Sequence, residues 1–278
     1  MKLVVLSDNN QLQESLEFEH GLCIYLETEK YKCLLDTGAS DLFLHNAEKM
    51  VIDIEDIDYV FISHGHSDHI GGLQAFLKLN TKAKIVLSKK TLSQRFFSVR
   101  QGLHEISSKI DISKFEDRLI FIDSKTEFEN EIFVFPCQPS IYPMPKANIN
   151  LMSEDGSDLR KDDFNHEIIV CFGTDDLLVY TGCAHHGVLN ILNCVEKTLH
   201  KPISTLIGGF HLLDGFPDQY ESEAEINEIA QNINANYPQT KLYTGHCTGK
   251  QVYGLLKSEL VDKLSFFYTG YTLIIHNK

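Results

Sequence analysis

The segment FISHGHSDHIGG, residues 61–72, crowds His64, His66, Asp68 and His69 into one six-residue window. It follows the apolar run IDYVFIS and precedes two glycines. Imidazoles suit zinc, and a carboxylate adds charge neutralisation. Alternation along an extended strand end points His64 and His66 the same way. A turn into the following helix swings Asp68 and His69 to a second position. Two donor pairs from one loop therefore point to two adjacent metal ions. A solvated polar turn is a poor account of three histidines at the end of an apolar strand.

Four donors do not complete two sites, so the later histidines matter. His185 and His186 lie in YTGCAHHG, His211 in LIGGFHLL and His246 in LYTGHCTG. Each follows an apolar strand and adjoins glycine, which lets backbone approach closely. Strand ends at one sheet edge can converge on a single site. His20, His45, His104, His166, His200 and His276 lack this context and are assigned to the surface or the core.

The elements that must position these groups read as strands and helices in mixed order. KLVVLSD (2–8) is a strand, and GLCIYLET (21–28) with KYKCLLDTG (30–38) reads as a hairpin. SDLFLHNAEKM (40–50) is a helix with Ser40 or Asp41 as N-cap, and GGLQAFLKL (71–79) is the next. IDYVFISH (57–64) and KIVLSK (84–89) are buried strands. Residues 90–118 carry no clear strand signal. LIFID and EIFVFP follow as strands, then a polar stretch, 139–167, long enough to be functional. EIIVCFG, DLLVYTGC, STLIGGF and KLYTGHC read as strands. Helices are expected at 187–200, 222–237 and 250–260, and a closing pair of strands at 264–276. Hairpins at the start favour a layered α/β sandwich over a simple parallel sheet.

Composition bounds the partners. A formal net charge of −14 argues against a general nucleic-acid binder and against an anionic membrane surface. Seven scattered cysteines with no CxxC read as reduced thiols of a cytoplasmic protein. No run approaches transmembrane length, and the apolar start is too short for a signal peptide. A single domain over residues 1–278 is expected, and the sequence sets no oligomeric state.

HGHSDHIGG resembles the metal motif of the metallo-β-lactamase superfamily. LSDNN, the LLDTG turn, Asn46, YTGCAHHG, IGGFHL and TGHCTG extend the likeness from about residue 3 to the C-terminus. Together they resemble the branch that includes the dihydropterin-6-methyl-ribofuranosylaminobenzene-phosphate synthases of methanopterin biosynthesis. The resemblance implies a four-layer αββα sandwich with metals at the sheet edges. It implies His64, His66 and His185 on the first ion, and Asp68, His69 and His246 on the second. His185 takes the place of a ligand that glyoxalase II-like enzymes supply after the strand corresponding to EIFVFP. The branch commonly has proline where this chain has His186. Many superfamily hydrolases carry a bridging aspartate where this chain has Cys183, which either binds metal or packs. Asp36 is expected to fix the tautomer of a ligand histidine. His211 either meets substrate as general acid or serves as a hydrogen-bonded support. Cys247 is expected on the opposite strand face, in the core.

The chemistry expected is hydrolysis. Two zinc ions about 3.5–4 Å apart hold a hydroxide at neutral pH that attacks an ester, phosphoester, lactone or amide. Iron or manganese also fits the donors. Asp68 and His211 are the candidate catalytic side chains, with Asp68 taking the proton of the attacking water. The branch points to a small phosphorylated, cyclic phosphate or pterin-like substrate. Segments 90–118 and 139–165 are candidate covers, with Arg95, Arg100, Lys146, Arg160 and Lys161 available for phosphate and Phe96, Phe97 and Tyr142 for a flat ring or a packed lid. The rival readings are an iron-dependent redox enzyme on the same scaffold and a noncatalytic metal or ligand sensor.

Overall fold

The computed structural model describes residues 1–137, 141–156, 158–215 and 220–275. His276 lies outside the described residues, as do parts of the polar stretch 139–167. Among the described residues the strands form two seven-stranded sheets and one of four.

The first sheet runs Thr272–Ile274, Lys2–Ser7, Cys23–Glu27, Lys32–Leu35, Tyr59–Phe61, Lys84–Leu87, Leu119–Phe121. The second runs Leu264–Phe266, Lys241–Thr244, Ile203–Ile207, Leu177–Tyr180, Ile168–Phe172, Ile132–Pro136, Thr126–Phe128. Each sheet has a parallel half. Leu34, Val60 and Ile85 lie side by side in the first, and Val179, Leu206 and Leu242 in the second. These strands are covered on both faces, which explains their near-continuous apolar sequences.

Three apolar clusters fill the interfaces between four layers. Phe43, Leu73 and Phe76 pack helices Leu42–Lys49 and Leu73–Leu79 onto the outer face of the first sheet. Leu3, Val5, Phe61, Val170 and Tyr180 lie between the sheets. Ile191, Val195, Ile233 and Leu256 pack helices Val188–Leu199, Glu223–Asn236 and Lys250–Leu260 onto the second sheet. This is the expected αββα sandwich. Among the described residues no helix is long and apolar enough to cross a membrane.

Three expectations change. Residues 90–118 contain strands Arg95–Ser98 and His104–Glu105, and residues 139–167 contain Leu151–Asp155 and Asp158–Lys161. All four join in the small sheet, with Phe97 opposite Met152. That pairing is between distant segments, so local pattern could not announce it. The last two strands do not pair with each other. Leu264–Phe266 joins the second sheet and Thr272–Ile274 the first, tying the two sheets together at the C-terminus. Thr126–Phe128 forms an edge strand that the polar sequence around it concealed.

Candidate metal centre

The parallel strands end at one edge, and each expected donor leaves from such an end. His64 follows Tyr59–Phe61, His185 follows Leu177–Tyr180, His211 follows Ile203–Ile207 and His246 follows Lys241–Thr244. The turns there are tight. Asp36, Ala184, His211 and His246 all have φ between 50° and 58°, a left-handed conformation uncommon outside glycine. A Cβ on Gly182 would sit 2.0 Å from Ser63 Oγ, so only glycine lets YTGC pass beneath His64.

The expected donors come together. His64 Nε2 and His185 Nε2 face each other at 3.4 Å. His69 Nε2 and His246 Nε2 do so at 3.1 Å. The His66 ring lies 4.6 Å from that of His64 and 4.9 Å from that of His185. Asp68 Oδ2 is 3.2 Å from His246 Nε2 and 3.7 Å from His69 Nε2. Cys183 Sγ is 3.1 Å from His69 Nε2. The groups His64, Cys183, His185 and His69, Cys183, His246 each place their donor atoms within 4.8 Å of one another.

The second nitrogen of each facing ring is already engaged. His69 Nδ1 donates to Asp36 Oδ2 at 2.6 Å, and His64 Nδ1 donates to Ser63 Oγ at 2.8 Å. His185 Nδ1 donates to Asn148 Oδ1 at 3.0 Å, and His246 Nδ1 to Asn9 Oδ1 at 3.2 Å. Such partners fix the ring orientation and turn Nε2 toward the facing ring. Asp36 takes the orienting role its place in LLDTG predicts.

Electrostatics favour neutral rings in one group and an ion pair in the other. Burial, then the neighbouring His69 and His66, pushes His64 well below the usual imidazole range. Burial, then His211 and His64, does the same to His185. His66 is lowered by burial against the opposing pull of Asp162. Burial works to raise Asp68, but His69 and His246 outweigh it and hold the carboxyl well below its usual range. Burial works to lower His246, but Asp68 outweighs it and raises the ring to about 9. A cation is the natural replacement for that proton.

Several participants carried no recognisable signal. His20, assigned to the surface or the core, is exposed but stacks on His246 at 5.1 Å and reaches Asp68 Oδ2 at 3.4 Å. His166 is fully buried and holds the Gly65 N–H at 3.0 Å, while its Nε2 donates to Asp162 at 3.1 Å. Glu167 accepts the backbone N–H groups of His185 and His186 and the His186 Nδ1 proton. His186, in the place where proline was expected, is thus tied to a carboxylate. Asn9 and Asp8, from LSDNN, grip the His246 turn through its carbonyl and N–H. His45, His104 and His200 are exposed, as expected.

Cys247 corrects an expectation. It does not join the core behind the strand; it lines the same cavity as His66 and His211. The strand ends at Thr244, and the left-handed turn at His246 breaks the alternation that would have sent Cys247 away. Two open alternatives resolve, Phe96 toward packing and Arg95 toward pairing with carboxylates. Phe96 is fully buried against His166, with ring centres 4.2 Å apart, so it has no face for a ligand. Arg95 is tied to Glu105 and Glu154 at 2.6–3.1 Å. Tyr142 lines a separate apolar pocket beside Phe210 and Leu212.

The sequence profile of the metallo-beta-lactamase superfamily matches residues 16–187, more than half of the chain. The chain belongs to the metallo-beta-lactamase superfamily. Within that superfamily it is similar to a solved metal-dependent hydrolase of the beta-lactamase superfamily, with 31% identity, a TM-score of 0.82 and both chains fully covered. It is also similar to the 7,8-dihydropterin-6-methyl-4-(beta-D-ribofuranosyl)-aminobenzene-5'-phosphate synthase of Methanocaldococcus jannaschii. That alignment is 25% identical over 272 residues, 91% of this chain and 88% of the relative. Human tRNase Z, short form, shares the superfamily fold at 12% identity and a TM-score of 0.53, with both chains fully covered.

Proposed function

We propose that the chain is a metallohydrolase that holds two divalent ions, zinc suiting its donors best, and cleaves a small phosphorylated substrate. The two facing pairs of imidazole nitrogens carry the reading, at 3.4 and 3.1 Å. Two nitrogens bound to one tetrahedral zinc at about 2.0–2.1 Å stand about 3.3 Å apart. His66 Nε2 is buried with no hydrogen-bond partner. His64, His66 and His185 would hold one ion, and Asp68, His69 and His246 the other. Ions held there would supply a water acidified to a pKa of about 7 and a Lewis acid for a developing oxyanion.

The chain's own side chains supply the rest. The Asp68 side chain, one-fifth exposed, lines the cavity, where its carboxylate is placed to take a proton. His211 is buried, both of its ring nitrogens lack a partner, and its ring lies 4.3 Å from that of His185. An imidazole in that state is free to donate a proton to a leaving group.

Two cavities support this substrate class. The one over the donors, about 260 Å³, is shared by His66, Asp68, His211 and Arg100. A neighbouring cavity of about 680 Å³ also contains Arg100, with Lys161, Lys146 and Phe164. A substrate lying across both places its reacting group at the donors and an anionic end among the three cations. The phosphate and pterin in the name of the 25% identical relative are of this class. Segments 90–118 and 139–165 would cover the site, since Arg100, His104 and Leu151 line the first cavity.

Elemental mass spectrometry of protein purified without added metal, followed by a screen of phosphomonoesters, phosphodiesters and cyclic phosphates, tests the reading. Two zinc ions per chain and phosphoester turnover are expected. Iron with oxygen consumption, or turnover of lactones and thioesters alone, overturns it.

A further inference from the structure

The apolar pocket beside Phe210 and Leu212 has a volume of about 150 Å³ and shares no lining residue with the cavity over the donors. Its walls come from residues 142–146, the start of helix Val188–Leu199, the segment after strand Ile203–Ile207 and one side of helix Glu223–Asn236. Fixed backbone holds it open. Asn190, 2% exposed, accepts the Ile141 and Tyr142 N–H groups on Oδ1 at 3.0 and 2.9 Å and donates from Nδ2 to the Tyr142 carbonyl. Gly187 takes φ 91°, and a Cβ there would meet the Pro143 carbonyl at 3.2 Å, so the segment rests directly on the helix start. At its other end, the Lys146 N–H donates to Glu221 Oε1 at 2.6 Å and Lys146 Nζ to Glu225 Oε2 at 2.7 Å.

The lining has two characters. Tyr142, Met144, Val188, Phe210, Leu212 and Ile229 give it an apolar body. A cavity of about 150 Å³ walled by such side chains holds one benzene-sized ring. Its polar side is acidic. Glu221, Glu225 and Glu228 line it against the single ammonium of Lys146, which is engaged with Glu225. Glu221 Oε2 is buried and has no hydrogen-bond partner. A buried carboxylate oxygen is costly to leave without a donor. The outer cavity shares Met144, Pro145 and Lys146 with this one but adds Arg100 and Lys161. An anionic group suits those cations, whereas here it would meet uncompensated carboxylates.

We infer that this cavity is a second binding site, which takes a compact aromatic ligand carrying a protonated amine. The ring fills the apolar body, and the ammonium donates to Glu221 Oε2, with Glu228 adding attraction from the exposed rim. The site is distinct from the proposed two-ion centre, and its occupancy does not require the ions. It abuts that centre all the same: Gly187 and Phe210, both in its wall, are the chain neighbours of His186 and His211.

Titration of the methyl-labelled full-length protein with benzylamine, benzyl alcohol and benzoate in turn, followed by NMR at neutral pH, tests this without any substrate. Benzylamine is expected to shift the methyl signals of Val188, Leu189, Leu212 and Ile229 saturably, with a dissociation constant of about 1 mM or tighter. Benzyl alcohol is expected to bind about tenfold more weakly, and benzoate not to bind. Glu221→Gln is expected to bring benzylamine down to the affinity of benzyl alcohol and to leave benzyl alcohol unchanged. Should that variant fail to fold, the ranking of the three compounds on the unaltered protein decides alone. No saturable shift at those methyls, or equal affinity for the three compounds, overturns the site. Full benzylamine affinity in a folded Glu221→Gln overturns the role of that carboxylate. Displacement of benzylamine by inorganic phosphate puts it among Arg100 and Lys161 instead and overturns the proposal. Benzylamine binding that survives chelation of all metal supports it, and loss of binding on chelation overturns its independence from the ions.

Discussion

Asp36 Oδ2 accepts the His69 Nδ1 proton at 2.6 Å, and both side chains are fully buried. The same oxygen accepts from Tyr180 OH and Ser63 Oγ, each at 2.6 Å. Ser63 Oγ in turn accepts from His64 Nδ1. One carboxylate thus orients a ring in each facing pair, His69 directly and His64 through a hydroxyl. It also bridges the layers, because Asp36 and Ser63 leave the first sheet and Tyr180 belongs to the second.

Replacing Asp36 therefore separates orientation from ligation. In Asp36→Asn the donor atoms of the proposed ligands remain, but the carboxylate that fixes two tautomers is gone. Loss of such a partner typically weakens metal affinity about 10–100-fold. Competition against a chromophoric chelator is expected to show weakening at both sites, larger for the ion on His69. Unchanged affinity at the His69 site would show that Asp36 serves only the fold.

Glu167 holds the other critical turn. It is fully buried and accepts from His185 N at 2.7 Å, His186 N at 3.0 Å and His186 Nδ1 at 2.5 Å. Burial works to raise its carboxyl, but the His186 contacts outweigh it and bring it down. Glu167→Gln presents an amide N–H where two donors converge and leaves His186 without its counter-charge. Breaking such a buried pair costs about 3 kcal/mol. Denaturant unfolding should register that loss with the slope unchanged. A change within about 0.5 kcal/mol, the range of an ordinary surface substitution, would discard the clamp.

Legibility followed the range of the interactions. The HGHSDH window, the helix at 250–260 and the apolar strands were readable because their signals are local: donor spacing, 3.6-residue periodicity and continuous apolar runs. The small sheet was not, because Arg95–Ser98 finds its partner only at Leu151–Asp155, more than fifty residues away. The place of Cys247 was missed because strand alternation was extended past Thr244 into a left-handed turn at His246. His20, His166 and Glu167 stand beside the donors through folding alone, and nothing in their flanking residues marks them.

Acid should loosen one helix in a defined direction. Ser222 caps Glu223–Asn236 and exchanges hydrogen bonds with Glu225, which also meets Lys146 at 2.7 Å. Lys146, then the backbone and hydroxyl of Ser222, lower Glu225 from 4.5 to about 2. A depressed carboxyl contributes stability above its unfolded value, and that contribution fades as pH falls from 4.5 through about 2. The pair is well exposed, so its size is below about 1 kcal/mol. The melting-temperature gap between the unaltered protein and Glu225→Gln is expected to narrow from pH 5 to pH 3. A constant gap would mean that Glu225 acts as a neutral cap.

The proposed anionic subsite makes the sharpest kinetic prediction. Arg100 lines both cavities and Lys161 the outer one, whereas Lys146 is already paired with Glu225. A hydrogen bond to a charged group contributes about 1.5–3 kcal/mol, equivalent to roughly 10–150-fold in affinity. If the phosphate of the substrate sits between Arg100 and Lys161, Arg100→Ala and Lys161→Ala each raise KM by at least about tenfold. The value of kcat changes little, because this contact is equally strong in ground state and transition state. Lys146→Ala has a smaller effect, since its charge is shared with a carboxylate. A matched substrate without the phosphate loses the same factor on the unaltered protein and responds to none of the three substitutions. An equal fall in kcat and kcat/KM would instead place Arg100 at the reacting phosphoryl group, over the donors themselves.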